Sequence, residues 1–193
     1  MGDNQHAGYF PGATPLTLKL LWSPETTRIL GAQVTGFEGV DKRLDVIATA
    51  MAGGLTIEDL CHLELAYAPP FGSAKDIVNL AGFVALNSQE GLVTFTDELP
   101  ASDAVQIVDL RPPPLVDTHP VPHERIINIP LPLLRRNLDE LDRSKPVVTV
   151  CALGKTAYFG ARILAQNGFD VSVYSGGIRA RMDPRTPIKP PAG

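Results

Sequence analysis

Val147-Val-Thr-Val-Cys151-Ala-Leu-Gly-Lys-Thr156-Ala157 decides the architecture of the carboxyl-terminal half of the chain. Residues 147–150 are a run of apolar and β-forming side chains, which predicts a short central strand. Residues 156–167 place apolar groups at helical spacing, so strand passes into helix through a loop that opens at Cys151. Around this unit the same alternation repeats. Strands are expected at 105–110, near 126–129 and at 171–174, with a further helix at 131–143. Strands alternating with helices imply a parallel α/β sheet. The segment 111–123 holds five prolines. Each proline removes a backbone donor and restricts its predecessor, so this segment is expected to be an irregular loop. The proline-rich stretch 184–193 is expected to be a disordered tail.

The amino-terminal half has a different grammar. Leu16, Leu18, Leu20 and Trp22 alternate with Thr17, Lys19 and Leu21, the pattern of a strand with one buried face. A polar turn at 23–28 leads into a second strand at 29–35, so the pair should form an antiparallel hairpin. Val40, Leu44, Ile47, Ala48 and Met51 recur at helical spacing over 40–52, and Gly53-Gly54 supplies a left-handed cap. Thr56 with Asp59, and Ser73 with Asp76, have the spacing of capping boxes and predict two more helices. The second runs to about residue 87, where the pattern breaks. The expected organisation is an α+β domain at 1–87, a linker at 88–91 and a small α/β domain at 92–183.

Composition excludes some functions. With 193 residues, 44% of them hydrophobic and 20% charged, the chain has the composition of an ordinary globular protein and the length for two small domains or one of ordinary size. Its net charge of −4 offers no cationic field for nucleic acid or anionic lipid, so neither is an expected partner. Only Cys61 and Cys151 are present, which argues against a disulfide scaffold and for a reducing, cytoplasmic setting. The first residues show no basic or apolar run, and no stretch approaches the roughly 18 apolar residues of a spanning helix. A protein that is neither exported nor membrane-bound is expected.

The chemistry concentrates at Cys151. Crevices outside the carboxyl ends of parallel strands bind ligands, and a helix amino terminus favours an anion. Lys155 adds a cation, and the amides of Ala152, Leu153, Gly154 and Thr156 are placed to cradle a thiolate or the terminal sulfur of a persulfide. The plain alternative is a small buried hydrophobe. Cys61, between Leu60 and His62, belongs to no activating loop and reads as core. His62, His119 and His123 lack metal-ligand spacing, so no metal site is expected.

This loop resembles that of the rhodanese family, in which a cysteine opens a six-residue loop between strand and helix. Val-Asp-Leu-Arg at 108–111, Ile-Asn-Ile-Pro-Leu at 127–131 and Ser-Gly-Gly at 175–177 resemble the family's other signatures, and together they cover residues 105–180. The resemblance implies that Cys151 carries sulfane sulfur as a persulfide. Two features depart from it. Rhodanese loops often end in arginine, whereas the sixth residue here is Thr156 and Lys155 is the loop's one cation; the proline-rich 111–123 replaces the short helix that usually follows the first strand. A phosphatase of this fold would need arginine where Ala157 stands, to grip phosphate oxygens.

His6-Ala-Gly-Tyr-Phe-Pro-Gly-Ala13, Gly39-Val-Asp-Lys-Arg43 and Leu63-Glu-Leu-Ala-Tyr-Ala-Pro-Pro-Phe-Gly-Ser-Ala-Lys75 resemble the dimerisation domain of CoA-disulfide reductases, within the pyridine nucleotide-disulfide oxidoreductases. The resemblance implies a homodimer whose Tyr9 and Tyr67 face the redox cysteine and flavin of the other subunit. It makes Lys75 a CoA contact. A phenol is able to donate a hydrogen bond to a leaving CoA thiolate.

No Gly-x-Gly-x-x-Gly follows any strand, so the chain is expected to bind no dinucleotide alone. The resemblance implies the carboxyl-terminal portion of a flavin-dependent CoA-disulfide or persulfide reductase, whose amino-terminal domains hold FAD and NAD(P)H. In that enzyme NAD(P)H reduces FAD, FAD reduces a cysteine, and CoA or a CoA persulfide is the thiol partner. The competing reading is a catalytically silent rhodanese-like interaction module joined to a dimerisation domain.

Overall fold

The computed structural model of the protein describes residues 2–181, with the backbone alone at 180 and 181; the proline-rich stretch from Pro184 lies outside the described residues. The chain divides into two compact units, one through Glu90 and one from Gly91. As the sequence implies, the first is α+β and the second is α/β with a parallel sheet. No helix among the described residues is long and apolar enough to cross a membrane.

The first unit is built on an antiparallel sheet of β1 (Gly2–Asn4), β2 (Pro15–Trp22) and β3 (Ile29–Gly36), in that order. Leu16 and Leu18 point from β2 into the core, with Lys19 exposed between alternating neighbours. Helix α1 (Val40–Ala52) lies where the periodicity puts it, but its buried residues are Arg43, Ile47 and Ala50. Leu44 and Met51, expected on the inner face, are exposed. The helix is rotated because Arg43 turns inward to an ion pair with Asp76, 2.6 Å away. At its end Gly53 stays right-handed, and Gly54 alone is left-handed.

Helix α2 (Ile57–His62) carries the Thr56–Asp59 capping box. Helix α3 (Ile77–Gln89) does not start from Ser73: its cap is Asp76, whose box partner is Asn79. Asp76 wins because its carboxylate also neutralises Arg43, and charge-assisted bonds are stronger than those of a serine hydroxyl. Lys75 therefore precedes the cap and is not in the first turn of α3.

In the second unit five parallel strands take the order β4-β8-β7-β5-β6. They are β4 (Thr94–Thr96), β5 (Gln106–Asp109), β6 (Ile127–Asn128), β7 (Val147–Val150) and β8 (Val171–Tyr174). Strand β7 is central and wholly buried. The short edge strands β1 and β4 gave no recognisable alternation in the sequence.

Two sequence expectations are corrected here. The segment after β5 is not loop throughout, because α4 (Pro113–Thr118) forms within it. Its prolines occupy the first turn, where the missing donor has no partner to lose and the fixed φ suits a helix. Conversely, the expected helix at 131–143 breaks into α5 (Leu131–Leu134) and a 3₁₀ turn at Leu138–Glu140. Leu134 and Leu141 still reach the core, with Leu131 and Leu138 packed against it. Two short turns satisfy the apolar spacing that suggested one helix. Helix α6 (Lys155–Gln166) follows β7.

The segment around α4 is held from below by a buried ion pair. Asp109 and Arg111 are both buried, and the guanidinium meets the carboxylate through Nε at 3.0 and 3.1 Å and through a terminal nitrogen at 2.5 Å. The same arginine donates to Leu115 O at 3.2 Å and His119 O at 2.8 Å, and Asn128 donates to Asp109 O and Arg111 O. Arg111 thus pairs a charge and closes α4 with one side chain. Replacing it by an apolar residue of similar length, Arg111→Met, leaves the Asp109 carboxylate buried without a counter-charge. We expect a loss of about 3–5 kcal/mol, read as a fall in the urea midpoint of the second unit.

Candidate functional site

Cys151 sits where β7 ends, in a buried cluster with Ala157, Ala161, Val93 and Val173, and is 3% exposed. Two backbone amides face it, that of Gly154 among the expected loop donors and that of Ala157 beyond them. Its Sγ accepts from the backbone N–H of Gly154 and of Ala157, each at 3.2 Å. Ala152, Leu153, Gly154 and Thr156 are half-buried around it, and Lys155, the first residue of α6, is exposed.

Two glycines make this geometry. Gly154 caps α6 with φ 93°, a left-handed turn that L side chains rarely adopt, and this turn aims its amide back at the sulfur. The closing Ser175-Gly176-Gly177 turn then packs on the loop. A Cβ at Gly177 would lie 2.6 Å from the backbone of Cys151 and Ala152. Past it, Ile178 N donates to Cys151 O at 3.0 Å and Arg179 N to Ala152 O at 3.1 Å. Behind the loop, the buried Thr149 hydroxyl reaches Ala157 O at 3.1 Å. A sulfur facing two amides, at the head of a twelve-residue helix, suits a negatively charged acceptor.

Two contributors escaped the sequence reading. One is the amide of Ala157, a residue that enters the sequence reading only through its side chain. The other is Arg179, an exposed cation whose backbone is bonded to the loop from the closing turn. The Ser-Gly-Gly signature that precedes it marked the turn but not its attachment.

In the first unit the structure unites two expected residues 58 positions apart: the hydroxyls of Tyr9 and Tyr67 are 3.1 Å apart. Both are exposed, Tyr9 at 77% and Tyr67 at 48%. Tyr67 has its phenol pKa raised above the ordinary value, chiefly by the hydrogen bond with Tyr9. Lys75 is also exposed, and its Nζ lies 4.6 Å above the ring of Phe83. Cys61 is core: it is buried, its thiol reaches Ile57 O at 3.4 Å, and burial pushes its pKa up.

Residues 1–77 match the pyridine nucleotide-disulphide oxidoreductase dimerisation domain, and residues 94–182 match the rhodanese-like domain. The chain carries a dimerisation domain followed by a rhodanese-like domain. Its first part is 42% identical over 80 residues to a coenzyme A disulfide reductase from Staphylococcus epidermidis, and 45% identical over 80 residues to one from Staphylococcus aureus. Each match takes 42% of this chain and 18% of the relative. Among solved structures, the reduced Bacillus anthracis protein CoADR-RHD is 41% identical, with a TM-score of 0.88, over 92% of this chain and 32% of that one. A NAD-dependent persulfide reductase from A. fulgidus is 36% identical, with a TM-score of 0.85, over the same shares. The chain thus spans about a third or less of the length of these relatives.

The rhodanese-like domain keeps its cysteine loop in place through Gly177. Gly177→Ala places a methyl against backbone at a φ of 65°. We expect a stability loss of more than about 1 kcal/mol and displaced amide resonances of Gly154 and Ala157 in a ¹⁵N correlation spectrum. Unmoved resonances would show that the turn does not set the loop.

Proposed function

We propose that the rhodanese-like domain transfers sulfane sulfur through a persulfide on Cys151, within a flavin-dependent NAD(P)H CoA-disulfide or persulfide reductase. The pair of amide donors on the Cys151 sulfur carries this reading. It is supported by the coenzyme A disulfide reductases and the persulfide reductase to which the chain is similar.

With thiosulfate as donor, the Cys151 thiolate attacks the outer sulfur. The S–S bond of the donor breaks, and sulfite leaves with the bonding pair. The product Cys–S–S⁻ keeps one negative charge, and the amides of Gly154 and Ala157, which bond Sγ, are proposed to stabilise it. An acceptor thiolate, of CoA or a related thiol, then attacks the terminal sulfur and releases Cys151 as thiolate. Lys155 and Arg179, exposed cations in the loop and in the turn bonded to it, are proposed to favour anionic donors.

In the dimerisation domain, Tyr9 and Tyr67 are proposed to face thiol and flavin, and Lys75 to contact CoA. Two exposed phenols in mutual hydrogen bond and an exposed ammonium fit the rim of such a site. The bound flavin would supply electrons from NAD(P)H to the disulfide. What this chain adds is a phenol hydrogen bond to a leaving thiolate and a charge for phosphate. A homodimer formed through this domain is part of the same proposal, as is a cytoplasmic setting.

The burial of Cys151 favours a second reading, a silent interaction module. Intact mass spectrometry after incubation with thiosulfate or polysulfide separates the two. A gain of one sulfur that persists in Cys61→Ala and vanishes in Cys151→Ala is expected. Absence of any adduct at Cys151 would leave the silent module.

A further inference from the structure

Tyr9 and Tyr67 are exposed, and their hydroxyls lie 3.1 Å apart. Surface side chains are ordered only at an entropic cost that their own contacts must offset. The order therefore comes from the backbone beneath, and the hydrogen bonds there form a connected frame. Gln5, buried, closes the loop that carries Tyr9: its Nε2 donates to Gly12 O at 3.2 Å, its Oε1 accepts from Thr14 N, and its own N–H donates to Thr14 O at 3.0 Å. Inside the loop, His6 stacks edge-on against Phe10, and Phe10 N donates to Ala7 O. Ala7 N donates to Gly72 O at 3.0 Å, and Gly72 N donates to Ala68 O, which ties the loop to the turn just after Tyr67.

Arg43 joins this frame to the helices. Its guanidinium donates to Gln5 O, to Gly39 O at 3.2 Å, and to both carboxylate oxygens of Asp76, through Nε at 3.2 Å and a terminal nitrogen at 2.6 Å. Asp76 in turn caps α3 through Val78 N, and Asn79 anchors the Tyr67 side by donating to Leu60 O and Leu63 O. We infer that Gln5 and Arg43 are positioning residues that hold Tyr9 against Tyr67. Arg43 clamps the loop's first carbonyl to the cap of α3, and Gln5 closes the loop over it. The inference deepens the proposal that the two phenols face a thiol substrate, and it explains why a cation is buried on α1 where the apolar periodicity left Leu44 outside. A planar fork is required, since a lysine ammonium that reaches Asp76 has no rigid second arm for Gln5 O.

The test is a pH titration of the whole chain labelled with ¹³Cζ-tyrosine, with Tyr67→Phe to assign the resonance and Tyr9→Phe to define the unpaired value. In the parent, Tyr67 is expected to titrate above the usual phenol value of about 10, and in Tyr9→Phe to fall toward it. Gln5→Ala and Arg43→Lys are each expected to move Tyr67 most of the way to the Tyr9→Phe value. Arg43→Lys keeps a cation for Asp76 and is expected to stay folded, with a melting temperature lowered by the buried bonds it forfeits. A purely structural role would lower the melting temperature and leave the Tyr67 titration of the folded protein unchanged. A parental Tyr67 titration in folded Arg43→Lys overturns the inference, even if Gln5→Ala fails to fold. Addition of CoA tests the underlying reading separately: absence of any shift in either phenol resonance removes the thiol-facing role, while the variant titrations still decide the positioning.

Discussion

Everything in the second unit converges on one constraint, that the chain leaving β7 must turn its amides onto the residue it has just passed. Cys151 ends a buried strand, and three residues later Gly154 turns left-handed, so the amides of Gly154 and Ala157 return to the sulfur. The closing turn completes the arrangement by bonding Cys151 O and Ala152 O from outside. The sulfur is thus held by backbone alone, and the loop side chains are free to define what approaches. The donors on the sulfur are peptide groups, which no substitution except proline removes.

The two units share a second device. Each buries one arginine against one aspartate, Arg43 with Asp76 and Arg111 with Asp109, and each arginine spends its remaining donors on backbone carbonyls of a nearby loop. Burying a charge pair contributes little net stability, because desolvation offsets most of the attraction. What it does contribute is geometry. A guanidinium fixed by a bidentate carboxylate offers the remaining donors in set directions, and the loops that accept them are the Tyr9 segment and the rim around α4. In each unit one loop is hung from an ion pair, the Tyr9 segment from Arg43 and the α4 segment from Arg111.

Much of this was legible in the order of residues. Strand β7, helix α6 and the thiol between them follow from β-forming residues running into a 3.6-residue period, and the β2–β3 hairpin follows from alternation about a polar turn. These signals are local, since each reports which face of one element meets the core. The same locality explains the errors. Leu44 and Met51 look like core residues to periodicity, but Arg43 rotates α1 by pairing with a residue 33 positions away. The prolines of 112–114 look like helix breakers, yet they stand in a first turn, where they start one. Ser73 has capping spacing, but the charge of Asp76 answers a distant arginine.

The sequence by itself determined the two-part organisation, the parallel sheet of the second part and the placement of Cys151 at a strand-to-helix junction, because those depend on propensities and periods within short windows. Only the tertiary structure decided that two amides face the sulfur, that Arg179 joins the loop from another turn, and that Tyr9 meets Tyr67 across 58 residues. Hydrogen-bond direction and long-range charge pairing depend on where separate elements come to rest, and no local pattern of side chains encodes that.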